Sequence, residues 1–239
     1  ENSANERDLT IVVQPVEFTI KCTYENKIVD INKFNVYVER TVAIPEGVDV
    51  NKITTGVIVD CDGTIRHVPT KIIVIDGKYY AKISSLTNST YSVVWNPKEF
   101  KDIENHWAKE IVNDMGSRLV VNSVSEDMFE PNCYITRAEF ATIAVKALGL
   151  MRNNTGKDVF SDVTKDDWYY DAVSIAYEYG LISGYGNGKF EPTVKITREE
   201  AMTIIARAMK ITELEVEFKN GEEDKLLAEF DDYEKLENW

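Results

Sequence analysis

No apolar run in this sequence approaches the roughly 20 residues that a helix needs to cross a bilayer, so no membrane-spanning helix is expected. A basic-then-apolar leader is missing too. The chain opens with Glu1 rather than Met, which reads as a trimmed start, so the missing leader says nothing about location. Histidine is scarce, with only His67 and His106 present. The three cysteines, Cys22, Cys61 and Cys133, are odd in number and widely spaced, which fits neither a disulfide framework nor a zinc site. Cys22 and Cys61 both fall in apparent strands, and a bridge between them competes with buried free thiols as a reading. Basic charge is in deficit, with 27 Lys and Arg against 41 Asp and Glu and a net charge of −14. Such a surface repels nucleic acid and anionic lipid at long range, so neither is expected as a partner. Screening beyond about 8–10 Å still allows an anionic ligand held by a few local arginines.

Catalytic signatures are also lacking. There is no Gly-x-Ser-x-Gly, phosphate loop or His-Glu-x-x-His. Carboxylate pairs of the kind glycosidases use are too easily found among so many acids to count as a signal. His106, beside Trp107 at a helix start, reads as a solvated or capping residue. Asp60-Cys61-Asp62-Gly63 resembles the opening of a calcium loop, but its twelfth position is Lys71 rather than glutamate, so it reads as a hairpin turn. No catalytic residue, metal or cofactor is expected in this chain.

What is present divides into two halves. The apolar fraction of 44% with 28% charged residues is that of folded protein, and the length accommodates two domains. Residues 1–8 are polar and read as a loose tail. Residues 9–96 carry short runs rich in Val, Ile, Thr and Tyr: Thr10–Val13, Glu17–Cys22, Phe34–Ile44, Gly56–Cys61, Lys71–Ile75, Tyr79–Ile83 and Tyr91–Trp95. Asp62-Gly63 and Asp76-Gly77 supply the positive φ that tight hairpins need. This spacing predicts a small antiparallel β-sandwich or barrel. Beyond Asn96-Pro97 the period becomes helical: Trp107, Ile111, Met115 and Leu119 form one stripe, and Phe140, Ile143, Ala144, Ala147 and Leu148 another.

The second half repeats itself. A shift of 61 residues sets Trp107 on Trp168, Phe129 on Phe190, Glu130-Pro131 on Glu191-Pro192, and Ile135-Thr136-Arg137 on Ile196-Thr197-Arg198. Such a period marks stacked helix-loop-helix units sharing a core. They occupy 97–152 and 158–212. An acidic linker, 213–229, precedes a third opening at 230–239, where Phe230-Asp231-Asp232 and Trp239 match the Phe-x-Asp…Trp start before the sequence ends. The expected fold class is thus α+β and multidomain, with an all-α C-terminal half whose third repeat is truncated.

In each full unit Thr-x-x-Glu predicts a capping box, Thr136 with Glu139 and Thr197 with Glu200. Arg137 and Arg198 then stand in a first helical turn, beside unpaired N–H groups and the positive end of the dipole. A cation placed twice where acids are preferred suggests an anion to meet it, because helix N-termini favour anions and arginine grips carboxylates with paired bonds. The competing reading pairs both arginines with aspartates of a neighbouring Phe-x-Asp motif.

Phe-x-Asp…Trp, a helix, Gly-Tyr-x-x-Gly-x-Phe-x-Pro, then Ile-Thr-Arg-x-Glu and a second helix resembles the S-layer homology module. The likeness covers 100–150 and 160–211 and the stub from 230. It implies modules arranged as a pseudo-threefold bundle, in the cell wall or S-layer of a Gram-positive bacterium. Grooves between modules would bind secondary cell-wall polysaccharide, often through the carboxylate of a pyruvylated amino sugar. Carried over, Arg137 and Arg198 become carboxylate ligands, and Gly184 with Tyr185 a loop that approaches the sugar. Trp107, Trp168 and Trp239 become walls for the ring or core residues. Asp102 and Asp162 become arginine partners or sugar acceptors. A structural spacer or lattice role, and an anchor for an enzyme lying outside this chain, are the alternatives. Unit one departs from the pattern: Ser123-Val124-Ser125-Glu126-Asp127 replaces Gly184-Tyr185-Gly186-Asn187-Gly188, which puts its own groove in doubt. A half-built bundle would expose apolar helix faces, so self-association or swapping is expected.

Overall fold

The computed structural model describes residues 9–153, 156–214 and 216–235. The expected tail at 1–8 and Trp239 lie outside these described residues.

The N-terminal half is β-rich. Its strands are β1 (Thr10–Glu17), β2 (Ile20–Tyr24), β3 (Lys27–Ile31), β4 (Lys33–Ala43), β5 (Thr55–Val59), β6 (Ile65–Val68), β7 (Thr70–Ile75), β8 (Lys78–Thr87) and β9 (Thr90–Trp95). They form antiparallel sheets of order β1-β9-β5-β6 and β4-β8-β7, with β2-β3 as a separate hairpin. Val13, Ile58, Val68, Tyr91 and Val93 from one sheet pack on Val42, Ala81 and Ile83 from the other. Alternation explains this, since every second side chain of a strand points to the same face.

The turn between β7 and β8 is the expected Asp76-Gly77, with φ of 49° and 76°, the two positive angles of a type I′ hairpin. The β2–β3 turn does the same without glycine, Glu25 and Asn26 adopting 45° and 62°. The run Glu17–Cys22, which reads in sequence as a single strand, is split at Phe18-Thr19 between the end of β1 and the start of β2. All three cysteines are exposed and unpaired. Cys22 sits on the projecting hairpin and Cys61 in a turn, so neither the bridge nor the buried-thiol reading holds.

Beyond Trp95 the regular elements among the described residues are helical: α1 (Lys109–Ser117), α2 (Arg137–Ala147), α3 (Tyr170–Glu178), α4 (Arg198–Ile211) and α5 (Glu222–Leu227), with short 3-10 turns and isolated β-bridges. The core crosses the repeats. Ala138, Ala141 and Val145 of α2 pack with Val173, Ile175 and Ala176 of α3, and with Phe160, Leu181 and Phe190.

The two helical stripes expected from sequence are only partly buried: Leu119 packs on the β core, and Phe140, Ala144 and Leu148 pack on the repeat core, while the rest of each stripe turns outward. Trp107 is 86% exposed and Ile111 63%, while Val112 and Gly116 are buried. On α2 the stripe of Phe140, Ile143, Ala144, Ala147 and Leu148 lines an open apolar groove shared with α4. Small residues face inward, and they allow close helix approach. At Gly116 an added Cβ would stand 2.6 Å from the Phe100 ring.

The β half docks on the C-terminal end of α2, where helical carbonyls lack partners. The Tyr37 hydroxyl donates to the Leu148 carbonyl at 2.6 Å, and Arg66 Nη1 donates to the Met151 carbonyl at 2.6 Å. Gly149 there has φ of 66°, and a Cβ on it would lie 2.5 Å from Pro69.

Candidate ligand-binding site

Both capping boxes form as the sequence predicts. The Thr136 N–H donates to Glu139 at 2.7 Å and that of Thr197 to Glu200 at 2.9 Å, with the threonine hydroxyls accepting in return. The first turn of α2 is nevertheless closed to ligands. The Arg137 N–H donates to the Val194 carbonyl at 2.9 Å, and the Ala138 N–H to that of Pro192 at 3.0 Å. The loop of repeat two thus fills the anion position expected at this helix start.

The Arg137 side chain is buried, with 7% exposure. Its Nε donates to the Phe190 carbonyl at 2.9 Å, and its Nη1 pairs with Glu200. The guanidinium lies over the Tyr185 ring, 4.5 Å from its centroid, and over Phe190 at 4.8 Å. Such stacking suits a planar, weakly hydrated cation. Tyr185 donates its hydroxyl to the same Glu200 oxygen at 2.6 Å. Burial, and then that hydrogen bond, push the phenol pKa up to about 12. Burial alone would raise Glu200, but bonds from Tyr185 and Thr197 and the charge of Arg137 outweigh it and leave its pKa lowered. Arg137 therefore pairs with the capping glutamate of the next repeat, a partner that sequence reasoning missed. Two capping glutamates of identical pattern give no sign that one also serves a neighbour.

The aspartates do something else. Asp162 accepts from the Phe190 and Glu191 N–H groups at 2.9 and 2.8 Å, and Asp102 from Phe129 and Glu130 at 2.9 and 2.6 Å. Each ties the loop of its own repeat, and neither pairs with an arginine among the described residues. Those bonds hold Glu130 and Glu191 at φ of 59° and 57°. At Gly184 a Cβ would come within 2.5 Å of the Lys189 carbonyl and 2.7 Å of the Phe160 ring, so the protein's own packing already demands glycine there.

Trp107 and Trp168 are 86% and 66% exposed, which excludes the core alternative for both. Arg198 is exposed and has no ion pair among the described residues; its guanidinium lies 6.0 Å from the centre of the Phe230 ring. In unit one, Asp127 takes the left-handed place of Gly188, with φ of 61° against 76°. Lys98 and Lys101 pair with its carboxylate at 2.5 and 3.3 Å.

Between the repeats lies a cleft of about 30 Å³ lined by Arg137, Ile182, Ser183, Glu200, Thr203, Ile204 and Arg207. The sequence profile of the S-layer homology domain matches residues 99–141 and 159–202, the segments that carry the first helix, the braced loop and the capped start of the second helix in each repeat.

The chain carries two tandem S-layer homology domains.

Proteins with similar sequence fall into two kinds. An amylopullulanase of Thermoanaerobacterium thermosulfurigenes is 35% identical over 170 residues, which is 69% of this chain and 9% of that protein. The exoglucanase XynX of Acetivibrio thermocellus is 33% identical over 154 residues, 64% of this chain and 14% of that protein. The surface-layer 125 kDa protein of Lysinibacillus sphaericus is 37% identical over 133 residues, covering 56% and 10%. The chain thus spans only a small share of these relatives' length.

Proposed function

We propose that the S-layer homology domains of this chain are a noncovalent anchor. They hold the polypeptide that carries them to the bacterial cell wall by gripping an anionic secondary wall polysaccharide. The observation that carries this reading is the match of both repeats to the S-layer homology domain. Glycan-degrading enzymes and a surface-layer protein resemble the chain over about a tenth of their own length, as expected of a module joined to different cargo. The β half serves as a spacer, and no chemistry is assigned to this chain.

The geometry supports a division of labour. Exposed Trp107 and Trp168 are flat walls for a sugar ring, since an indole offers a broad apolar face. Arg198 is the free cation for an acidic substituent such as a pyruvyl carboxylate, and Gly184 with Tyr185 shapes the loop beside the inter-repeat cleft. Asp102 and Asp162 hold the loops in place. In a three-repeat arrangement, a further helix of the same pattern would complete a threefold bundle in the groove between α2 and α4.

Co-sedimentation with purified walls tests this. The chain should bind intact walls, lose binding when pyruvyl groups are removed, and bind roughly tenfold more weakly as Arg198→Ala, since a charge-assisted hydrogen bond is lost. Equal retention of Arg198→Ala on intact walls would sink the part given to Arg198.

A further inference from the structure

Two arginines line the inter-repeat cleft, but they do not bring equal charge to it. Arg137 is paired with Glu200 and lies over the Tyr185 and Phe190 rings, so its charge is already matched. Arg207, which lies in the third turn of α4, has no carboxylate within ion-pair distance among the described residues. Its one hydrogen bond there is a long one, Nη1 to the Leu181 carbonyl at 3.3 Å. A guanidinium carries five N–H donors, so most of its capacity remains for something else.

The cleft volume of about 30 Å³ is roughly twice the 10–15 Å³ that one water occupies by the same measure. That leaves room for a small polar group such as a carboxylate to enter. Beside it stand the Ser183 and Thr203 hydroxyls and the apolar walls of Ile182 and Ile204. Thr203 donates to its own helix at 3.0 Å, which leaves its oxygen turned to accepting. The excess cation at this place is therefore Arg207.

Resting on the anchoring reading, we propose that Arg207 is a second cation, besides exposed Arg198, that reads an acidic group of the wall polysaccharide, holding one carboxylate in this cleft through paired N–H bonds. Arg137 is a positioning residue that fixes the cleft wall. The sequence hides this, because the position sits mid-helix and outside the Thr-Arg-x-Glu motif, and its counterpart in repeat one is Lys146.

The experiment is calorimetric titration of the full chain with purified anionic wall polysaccharide, intact and after removal of its acidic substituents, for wild type, Arg207→Gln and Arg207→Lys. Arg207→Gln should lose about tenfold or more in affinity for the intact polymer. It should match wild type on the acid-free polymer and melt within a few degrees of wild type. Arg207→Lys should recover part of the loss, because an ammonium keeps the charge but lacks the planar fork. Wild type binding the intact polymer while Arg207→Gln binds equally well would overturn the assignment and leave the anchor standing. Failure of wild type to bind would overturn the anchoring reading, and Arg207 with it. Should Arg207→Gln not fold, full affinity in Arg207→Lys at both low and high salt would overturn the paired-bond mechanism.

Discussion

Arg137 and Glu200 meet where both are buried, at 7% and 8% exposure. Removing one member of such a pair leaves an uncompensated charge and costs about 3–5 kcal/mol. Glu200 keeps bonds from Tyr185 and Thr197, so the lower end, about 3 kcal/mol, is expected for Arg137→Ala. For a chain of this size, thermal denaturation should show a fall of roughly 6–12 °C in Tm. A change under 2 °C would contradict the clamp. A consequence follows for binding work: lost polysaccharide binding in Arg137→Ala would reflect a displaced repeat interface as readily as a lost contact. At this scale the sequence makes the arginines and capping boxes legible through the exact recurrence of Thr-Arg-x-Glu. It hides the partner, because Glu139 and Glu200 look alike and only the fold brings repeat two's glutamate to repeat one's arginine. Asp102 and Asp162 were equally visible as repeated residues. Their bonds to loop N–H groups depend on a left-handed Glu that no residue pattern announces.

The end of α2 and the strands beside it form the next level. His67 of β6 is buried against this helix, and the Thr55 hydroxyl lies 2.9 Å from its Nδ1. Burial is the largest cause pulling its pKa from 6.5 to about 4; Arg118 adds to it, while Asp114 and the Ala147 carbonyl pull the other way. Because the folded pKa lies below the unfolded one, the unfolded chain takes up more protons between these values. The stabilisation is thus complete above about pH 6.5 and declines as pH falls toward 4, by at most about 3 kcal/mol from this group. Tm measured from pH 7 to pH 4 should drop more steeply in wild type than in His67→Gln, and parallel curves would remove His67 from the account. Elements were legible where local chemistry is distinctive: Asp76-Gly77 marks its hairpin, and Thr-x-x-Glu marks both helix starts. The faces of α1 and α2 were not. Ala138, Ala141 and Gly116, which carry little hydrophobic signal, share the buried sides with Val112 and Val145, while Trp107 and Ile111, which weigh heavily in the periodicity, are exposed. The β2–β3 hairpin escaped notice for a related reason, since Glu25-Asn26 reaches positive φ without the glycine that usually signals it.

Across the whole molecule, the groove between α2 and α4 holds about 290 Å³ with an almost wholly apolar lining. It is built from equivalent positions of the two repeats: Ile143 with Ile204, Ala144 with Ile205, Ala147 with Ala208, and Leu148 with Met209. A surface assembled from one stripe twice is complementary to a third helix bearing that stripe, and a second copy of the chain presents such helices. Covering apolar surface contributes about 25 cal/mol per Å² removed from water, which favours pairing of copies as concentration rises. The net charge of −14 opposes it, so association should strengthen with salt as that repulsion is screened. Sedimentation equilibrium of this chain should therefore show a concentration-dependent dimer at 0.5 M salt. Ile205→Glu, which sets a charge on an exposed groove position, should remain monomeric while keeping the helical circular dichroism of wild type. A wild-type chain that stays monomeric at millimolar concentration in high salt would mean that the groove does not recruit a second copy.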